Sequence, residues 1–263
     1  MDFKLRGKRA LVTGSTQGIG FAIAQGLARE GAAVVVNGRS EAKTRDAAKR
    51  IGSERKTPVI GIAGDVGSAA EVNRLVAQLG PVDILINNAG IFEPKPFLDI
   101  PDSDWLRHFE VNVMSGVRLS RALLPHMLEQ NWGRIIFISS ESGLNIPAEM
   151  VQYGMTKTAQ LAVSRGIAET VPGTGVTVNA VLPGPTLTEG VSAFLETLAK
   201  DRGISVEEMA IELIKTLRPT SLIKRWATPE EVANPVVYLC SEAASATTGA
   251  AIRVDGGVVR SIG

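Results

Sequence analysis

The chain has 263 residues, of which 44% are hydrophobic and 21% charged, and 28 basic against 27 acidic residues give a formal net charge of +1. This composition is typical of a globular protein, and the charge balance predicts neither nucleic acid nor a membrane as a partner. No apolar run approaches the ~18 residues of a membrane span, and Met1–Arg9 lacks the apolar segment of a signal peptide. The only cysteine, Cys240, excludes an internal disulfide, so we expect a reducing, cytoplasmic location.

The amino-terminal segment has the pattern of a strand, a glycine-rich turn and a helix. Apolar residues up to Val12 are followed by TGSTQGIG, Thr13–Gly20, and then by FAIAQGLAREG with helical spacing. Gly14 permits a tight turn, and Gly18 and Gly20 let a pyrophosphate approach the helix N-terminus, where free N–H groups favour anions. The spacing departs from the usual G-x-G-x-x-G, and a purely structural turn is the alternative. The predicted dinucleotide contacts here are Gly14, Ser15, Thr16, Gly18, Ile19 and Gly20.

The end of the second predicted strand bears on the choice of cofactor. Val34–Val36 is followed by Asn37-Gly38-Arg39-Ser40, where an NAD-preferring site commonly has an acidic residue for the ribose 2′-hydroxyl. No carboxylate here repels a 2′-phosphate, and Arg39 can bind one. We therefore predict NADP(H) in preference to NAD(H), with contacts from Arg39 and Ser40. Two alternatives stay open: Ser40 as a helix N-cap, and Arg39 stacking on adenine so that both cofactors are tolerated.

Polar residues also follow the next two predicted strands. Pro58–Ala63 leads into Gly64-Asp65-Val66, where Asp65 can meet an adenine amino group or simply begin a helix. Pro81–Ile86 leads into Asn87-Asn88-Ala89-Gly90, which suits either a wall beside a cofactor or an ordinary turn. The predicted cofactor contacts at these strand ends are Asp65, Val66, Asn88, Ala89 and Gly90.

The segment from Gly133 to Arg165 carries the candidate chemistry. A buried strand ends in Ser139 and Ser140, and a polar loop then leads to a helix that places Tyr153 and Lys157 four residues apart on one face. A free phenol has a pKa near ~10 and exchanges protons poorly at neutral pH, but a fixed ammonium nearby lowers that pKa. The Ser140 hydroxyl can hold a carbonyl oxygen. The structural alternative is a solvated helix face with Ser140 capping a turn.

Several other elements are predicted around this segment. Pro101–Glu129 has the pattern of one long helix, in which Asn112 must hydrogen-bond or kink the helix because asparagine is unfavourable there. A sixth strand, Gly175–Leu182, is followed by residues 186–226 with two amphipathic helical patterns, the second after an N-cap at Ser205. The apolar residues of this stretch include Phe194, Leu195, Leu198, Met209, Ile211, Leu213 and Ile214.

Other chemistries have little support in the sequence. His108 and His126 are the only histidines, and neither has a ligand partner at metal-binding spacing, so no metal is predicted. No G-x-S-x-G motif of an α/β-hydrolase is present. Glu141 and Glu149 flank the predicted pocket, where we expect solvent-facing loop carboxylates in preference to groups that select a polar substrate.

Taken together, these residues resemble the short-chain dehydrogenase/reductase family over nearly the whole chain. Ser140 precedes Tyr153 by 13 residues, as in that family. The resemblance implies one doubly wound α/β domain over residues 1–263, with a parallel sheet of about seven strands and helices on both faces. The matching residues, in the order of the family, are Thr13-Gly14, Gly18-Ile19-Gly20, Asp65, Asn87-Asn88-Ala89-Gly90, Asn112, Ser140, Tyr153, Lys157 and Pro183-Gly184.

The resemblance also implies roles for these residues. Tyr153 would be the catalytic acid/base, and Lys157 would lower its pKa and bind the nicotinamide ribose. Ser140 would orient the substrate carbonyl, and Asn112 would hold a water that links Lys157 to solvent. Further implied cofactor contacts are Tyr153, Lys157, Pro183, Gly184, Thr186 and Thr188.

The function implied is NADP(H)-dependent reduction of a ketone, or the reverse oxidation of a secondary alcohol. Residues 186–226 would form a lid over a small-molecule substrate, and their apolar side chains favour an apolar or amphipathic one unless they only pack the two helices. A homotetramer is also implied, with Pro101–Glu129 and Gln152–Val171 pairing across a two-fold axis. The alternatives are a 3-oxoacyl-thioester reductase and a non-catalytic nucleotide-sensing regulator. The presence of Ser140, Tyr153 and Lys157 together argues against the regulator.

Overall fold

Seven short runs rich in valine, isoleucine and leucine form one parallel sheet in the computed structural model, which describes residues 3–53 and 57–262. Neighbouring strands pair in parallel throughout, in the order β3-β2-β1-β4-β5-β6-β7. The strands are β1 (Arg9–Val12), β2 (Ala33–Gly38), β3 (Val59–Ala63), β4 (Ile84–Asn87), β5 (Gly133–Ile138), β6 (Val176–Pro183) and β7 (Ala251–Val254).

Helices follow the strands, and several begin at the polar caps that the sequence indicates. Ser205 and Thr228 each form a capping box with the glutamate three residues later, which satisfies free N–H groups of the first turn. Within the described part of the chain, no helix is long and apolar enough to cross a membrane. The helices are α1 (Gly18–Arg29), α2 (Glu41–Ser53), α3 (Ala69–Leu79), α4 (Asp102–Phe109), α5 (Ser115–Glu129), α6 (Val151–Glu169), α7 (Glu189–Arg202), α8 (Val206–Leu217) and α9 (Pro229–Leu239).

The sheet is covered on both faces, which is why its central strands have continuous apolar runs. Val34 and Val36 contribute to a core with α1, α2 and α9, whereas Val35 between them contributes to the opposite core with α3, α5 and α6. A third, smaller cluster of Leu195, Ala199 and Met209 joins α7 to α8. The predicted doubly wound α/β domain is confirmed.

The order of the strands determines where a ligand can bind. The chain runs from β1 outward to β3 and then returns to β4 on the other side of β1. The loops after β1 and β4 therefore diverge, and a crevice opens between them at the carboxyl edge of the sheet. The predicted strand-end residues all lie at this edge.

One predicted element differs in detail. The long helix expected over Pro101–Glu129 is interrupted by a π turn at Glu110–Met114, in which the Ser115 N–H donates to the Glu110 carbonyl five residues earlier. The turn contains Asn112, whose side chain bonds outside the helix. Both outcomes considered for this asparagine, an external hydrogen bond and a break in helix geometry, occur together.

Candidate active site

The glycine-rich turn after β1 is locked to the loop after β4. Gly14 has a φ of +60°, which favours glycine, and a Cβ on Gly20 would lie 2.5 Å from the Gly14 carbonyl oxygen. The Asn88 side chain donates to the carbonyl oxygens of Thr13 and Gly14 at 2.8 and 3.0 Å. The Thr13 hydroxyl in turn accepts from the Asn88 and Ala89 N–H groups, both at 3.0 Å. Asn88 therefore shapes the crevice mainly by fixing its two loops.

A carboxylate lies at the N-terminus of α1. The Gly18 N–H donates to Glu189 Oε2 at 2.9 Å, and Glu189 is the first residue of α7. The Thr188 methyl carbon would be 3.2 Å from a Cβ on Gly18. The start of α7 therefore rests on the turn that the sequence assigns to pyrophosphate, and a side-chain anion uses one of its donors.

The crevice is a cavity of about 680 Å³. Most predicted cofactor residues lie on its wall, in agreement with the strand-end argument. They are Gly14, Thr16, Gly18, Ile19, Gly20, Arg39, Asp65, Val66, Asn88, Ala89, Gly90 and Thr188.

Seven predicted cofactor residues do not lie on this wall, and two of them, Tyr153 and Lys157, are described below with the catalytic candidates. Ser15 is buried, and its hydroxyl donates to the Val12 carbonyl at 2.6 Å and accepts from the Asn37 N–H at 3.1 Å. Ser40 begins α2, accepting from the Lys43 N–H at 3.4 Å. The other three, which follow or end β6, are Pro183, Gly184 and Thr186. Their assignment as cofactor contacts stays a prediction.

The cavity wall also includes residues that the sequence did not single out. Gln17 belongs to the glycine-rich turn, and Phe92 follows the Asn87–Gly90 loop by two residues. Val191 and Phe194 come from α7. Their proximity to recognised motifs was the available signal, but only the fold shows which side chains face the cavity. Phe92 also makes an edge contact with the Tyr153 ring, with centroids 6.2 Å apart.

Arg39 is exposed at the end of β2 and lines the cavity. A Cβ on the neighbouring Gly38 would lie 2.6 Å from the Thr16 methyl carbon. A side chain at position 38 would therefore require Thr16 to move. The end of β2 therefore contributes an arginine and no carboxylate to the wall, as the sequence indicates.

The catalytic candidates converge behind the Asn87–Gly90 loop. A Cβ on Gly90 would lie 3.6 Å from Lys157 Nζ, and that Nζ lies 5.5 Å from the Tyr153 ring centroid. Ser140 accepts from the Ser142 N–H at 3.1 Å, which fixes its hydroxyl at the start of the loop after β5. Burial raises the pKa of Tyr153 to about 12, and a hydrogen bond with Ser140 opposes this rise. Tyr153 therefore stays a protonated phenol, the form that can donate.

Lys157 does not have the effect on the Tyr153 pKa that the sequence predicts. It is buried, and Nζ donates to the Ile138 carbonyl at 2.9 Å and to Gln160 Oε1 at 3.2 Å. Burial lowers the pKa of Lys157 to about 7. The expected lowering of the Tyr153 pKa by Lys157 is not seen, because burial destabilises the charged form of both groups. The sequence could not indicate this, since both shifts depend on the depth of the site.

Glu141 is buried, contrary to the expectation of a solvent-facing loop carboxylate. Its side chain is 3% exposed, and Oε1 accepts from Arg218 Nε at 2.6 Å across 77 residues of sequence. Glu149 is exposed, as expected, and lies 3.6 Å from Arg218 Nη1. Burial raises the pKa of Glu141, and Arg218 opposes that rise. The Glu141 Oε2 atom is buried with no hydrogen-bond partner among the described residues.

The arrangement suits proton transfer coupled to a nucleotide cofactor. A phenol, a hydroxyl and an amine lie close together beside the crevice, where Gly90 and Phe92 of its wall lie next to Lys157 and Tyr153. The crevice wall itself has glycine turns, a helix N-terminus and an arginine. Within residues 3–53 and 57–262, no three histidine, cysteine or acidic side chains could together hold a metal ion.

Comparisons with known proteins identify the family of the chain. The family model described as short chain dehydrogenase matches residues 8–199. Oxidoreductase YvaG of Bacillus subtilis (strain 168) is 49% identical over 263 residues, which cover 100% of both chains. A 3-oxoacyl-[acyl-carrier-protein] reductase of Aquifex aeolicus (strain VF5) is 36% identical over 262 residues, covering 98% of this chain and 100% of the relative.

A solved structure extends the likeness to the whole fold. The L-sorbose reductase of Gluconobacter frateurii, in complex with NADPH and L-sorbose, superposes with a TM-score of 0.95 at 34% identity and 100% coverage of both chains. Sequence motifs, fold and relatives agree, and the chain is an oxidoreductase that belongs to the short-chain dehydrogenase/reductase family.

Proposed function

We propose that the protein is an NADP(H)-dependent reductase of a ketone, or in reverse a dehydrogenase of the secondary alcohol. The observation that carries this proposal is the grouping of Ser140, Tyr153 and Lys157 directly behind Gly90 and Phe92 of the crevice wall. The fit of a dinucleotide is supported by the φ of +60° at both Gly14 and Gly18 and by the glycines of this turn on the crevice wall. The NADPH complex of the L-sorbose reductase is a second support.

The mechanism assigns one task to each side chain. When bound, NADPH would supply a hydride to the carbonyl carbon. Ser140 holds the carbonyl oxygen and stabilises the charge that develops on it. Tyr153 donates its phenolic proton to that oxygen and recovers it in the reverse direction. Lys157 binds the nicotinamide ribose and, as an ammonium, favours the transient phenolate.

Arg39 is the group proposed to select NADP(H). Its guanidinium is exposed on the cavity wall and makes no hydrogen bond or ion pair with another described residue. A 2′-phosphate would receive two donors from such a planar group. Thr16 and Asp65 lie on the same part of the wall, and we assign to them the adenosine end of the cofactor.

The substrate proposed is a small ketone that carries hydroxyl groups. The support is the buried ion pair of Glu141 and Arg218, which acts on the Tyr153 phenol from the loop next to Ser140. Glu141 Oε2 is an acceptor without a partner in the described residues, and a substrate hydroxyl would satisfy it. L-sorbose, present in the related reductase structure, is a ketone of this class.

The apolar side chains of the lid give weaker support to an apolar substrate. Leu195, Met209 and Ile214 are buried, and the first two join α7 to α8. Phe194 and Phe92 remain exposed at the cavity and would suit an acyl chain. Reduction of a 3-oxoacyl thioester is therefore the second candidate, and the Aquifex relative has that activity in its name.

The test is a spectrophotometric screen of NADPH oxidation over matched ketones. One series would contain hydroxylated ketones of increasing length, and another 3-oxoacyl thioesters of increasing chain length. We expect turnover in the hydroxylated series at kcat/KM values at least tenfold above the thioesters. The reverse order would favour the second candidate, and no oxidation with any ketone would favour a non-catalytic nucleotide sensor.

A further inference from the structure

Gln160 connects two of the four catalytic candidates. It lies one turn after Lys157 on α6 and is 1% exposed. Its Oε1 accepts from Lys157 Nζ at 3.2 Å, and its Nε2 donates to the main-chain oxygen of Asn112 at 2.6 Å. A single carboxamide therefore bridges the lysine and the π turn.

Asn112 has no polar atom without a protein partner. Its Oδ1 accepts from the Ile91 N–H at 2.8 Å, and its Nδ2 donates to the Ile91 carbonyl and the Thr156 hydroxyl, both at 2.9 Å. Its main-chain oxygen accepts from Gln160. The side chain thus fastens the Asn87–Gly90 loop to α6, while the main-chain oxygen faces Gln160.

The bridge through Gln160 is a direct protein contact, whereas the family resemblance implies a water held by Asn112 that links Lys157 to solvent. A water passes protons because it donates and accepts at the same atom. A carboxamide accepts at oxygen and donates at nitrogen, so it can align its neighbours while its own protons stay in place near neutral pH. The bond from Gln160 to Asn112 therefore orients the carboxamide so that its oxygen faces Lys157.

We propose that Gln160 is a positioning residue that holds the Lys157 ammonium toward the cavity. An ammonium has three donors, and the Ile138 carbonyl and Gln160 take two of them. The third is available on the side of Gly90 and the Tyr153 ring. This inference rests on the proposed function, in which Tyr153 is the proton donor.

The charged groups near the site bear on its pH dependence. No charged group shifts the pKa of Lys157, which burial alone lowers to about 7. Glu141 and Arg218 act on the Tyr153 phenol in opposite directions. The partners of Lys157 on the surrounding elements are the neutral Ile138 carbonyl of β5 and the Gln160 amide of α6. A change at position 160 therefore alters the one side chain that solvates the ammonium.

The test compares Gln160→Leu, which removes the acceptor, with Gln160→Glu, which places a negative charge beside Nζ. A hydrogen bond to a charged group corresponds to about one pH unit of titration. We expect the alkaline limb of kcat, where Lys157 loses its proton, to move about one unit lower in Gln160→Leu and about one unit higher in Gln160→Glu. KM for the ketone should stay within about twofold, because neither change touches substrate. Ser164→Ala is the matched control, since Ser164 is a buried polar residue one turn later on α6.

Opposite shifts in the two variants cannot come from a general loosening of the fold. Shifts in the same direction, or no shift in either variant, would overturn the inference. If the wild type reduces no ketone, the proposed function fails, yet Lys157 can still be titrated by NMR of its side-chain amine in the same variants. A lower Lys157 pKa in Gln160→Leu and a higher one in Gln160→Glu would then support the positioning role independently of turnover. The same Lys157 pKa in both variants and the wild type would refute it.

Discussion

The contact between Glu189 and the glycine-rich turn leads to a quantitative prediction about cofactor affinity. Glu189 Oε2 accepts from the Gly18 N–H at 2.9 Å, at the N-terminus of α1. A dinucleotide pyrophosphate bound at this helix end would need the same donor and would add like charge beside the carboxylate. We therefore expect Glu189→Gln to bind NADPH more tightly than the wild type.

The magnitude follows from the exposure of the contact. A hydrogen bond to a charged group is worth roughly 1.5–3 kcal/mol when buried, and exposure reduces such a contribution to about 1 kcal/mol or less. Repulsion between two unit charges ~5 Å apart in water adds ~0.8 kcal/mol. A total of ~1–2 kcal/mol corresponds to a ~5- to 30-fold lower Kd for NADPH.

The assay is a fluorescence titration of NADPH with wild type, Glu189→Gln and a control, Glu196→Gln. Glu196 is an exposed glutamate on the same helix and does not line the cavity. The gain in affinity should decrease at high salt because screening weakens the repulsive part. Unchanged or weaker NADPH binding by Glu189→Gln, or an equal gain in the Glu196→Gln control, would refute the reasoning.

The remaining predictions concern the chemistry, the cofactor, pH and assembly. Tyr153→Phe should lose at least ~10²-fold in kcat, the scale of a general acid, with an unchanged NADPH Kd; activity within threefold of the wild type would contradict its role. The wild type should have a higher kcat/KM with NADPH than with NADH. Arg39→Ala should lower kcat/KM for NADPH by ~10-fold or more and leave kcat/KM for NADH unchanged. Equal kcat/KM values for the two cofactors in the wild type would contradict the proposed NADP(H) preference. Burial lowers the pKa of Lys157 from 10.5 to about 7, so between these pH values the unfolded chain binds more protons and the free energy of unfolding should rise with pH. Calorimetry at several pH values should show a smaller rise for Lys157→Met than for the wild type. An equal rise in both proteins would contradict the lowered pKa. A Cβ on Gly166 meets no atom within 4 Å, so Gly166→Trp should leave the subunit folded but disrupt the proposed tetramer, as measured by light scattering. The control variant Gln78→Trp should keep the oligomeric state of the wild type. A monomeric wild type would contradict the proposed assembly.

Local patterns predicted much of this structure. The strand ends, the glycine-rich turn and the cap at Ser205 each depend on residues within a few positions of one another. Such features are readable from sequence because turn geometry and free N–H groups restrict the residue types that can occupy them. Most residues of the cavity wall could be predicted in the same way, because parallel strands bring their carboxyl ends to one edge of the sheet.

What escaped prediction depends on distance in sequence or on depth. Glu141 and Arg218 are 77 residues apart, and no local pattern marks either as the partner of the other. Gln160 occupies an ordinary helical position, and its role arises only because Asn112 lies opposite it. The pKa of Lys157 likewise follows from how deeply α6 packs, a property of the assembled fold.

The π turn at Glu110–Met114 also has a consequence for insertions and deletions. An α-helix advances about 100° per residue, and a π turn accommodates one extra residue within an otherwise α-helical path. Deleting Val113 would restore regular geometry but rotate α4 by about 100° relative to α5. The buried His108 would then leave its present surroundings, and Asn112 would lose its alignment with Ile91. A deletion scan should therefore find this stretch intolerant even where conservative substitutions at Val113 are accepted, because its length matters as much as its side chains.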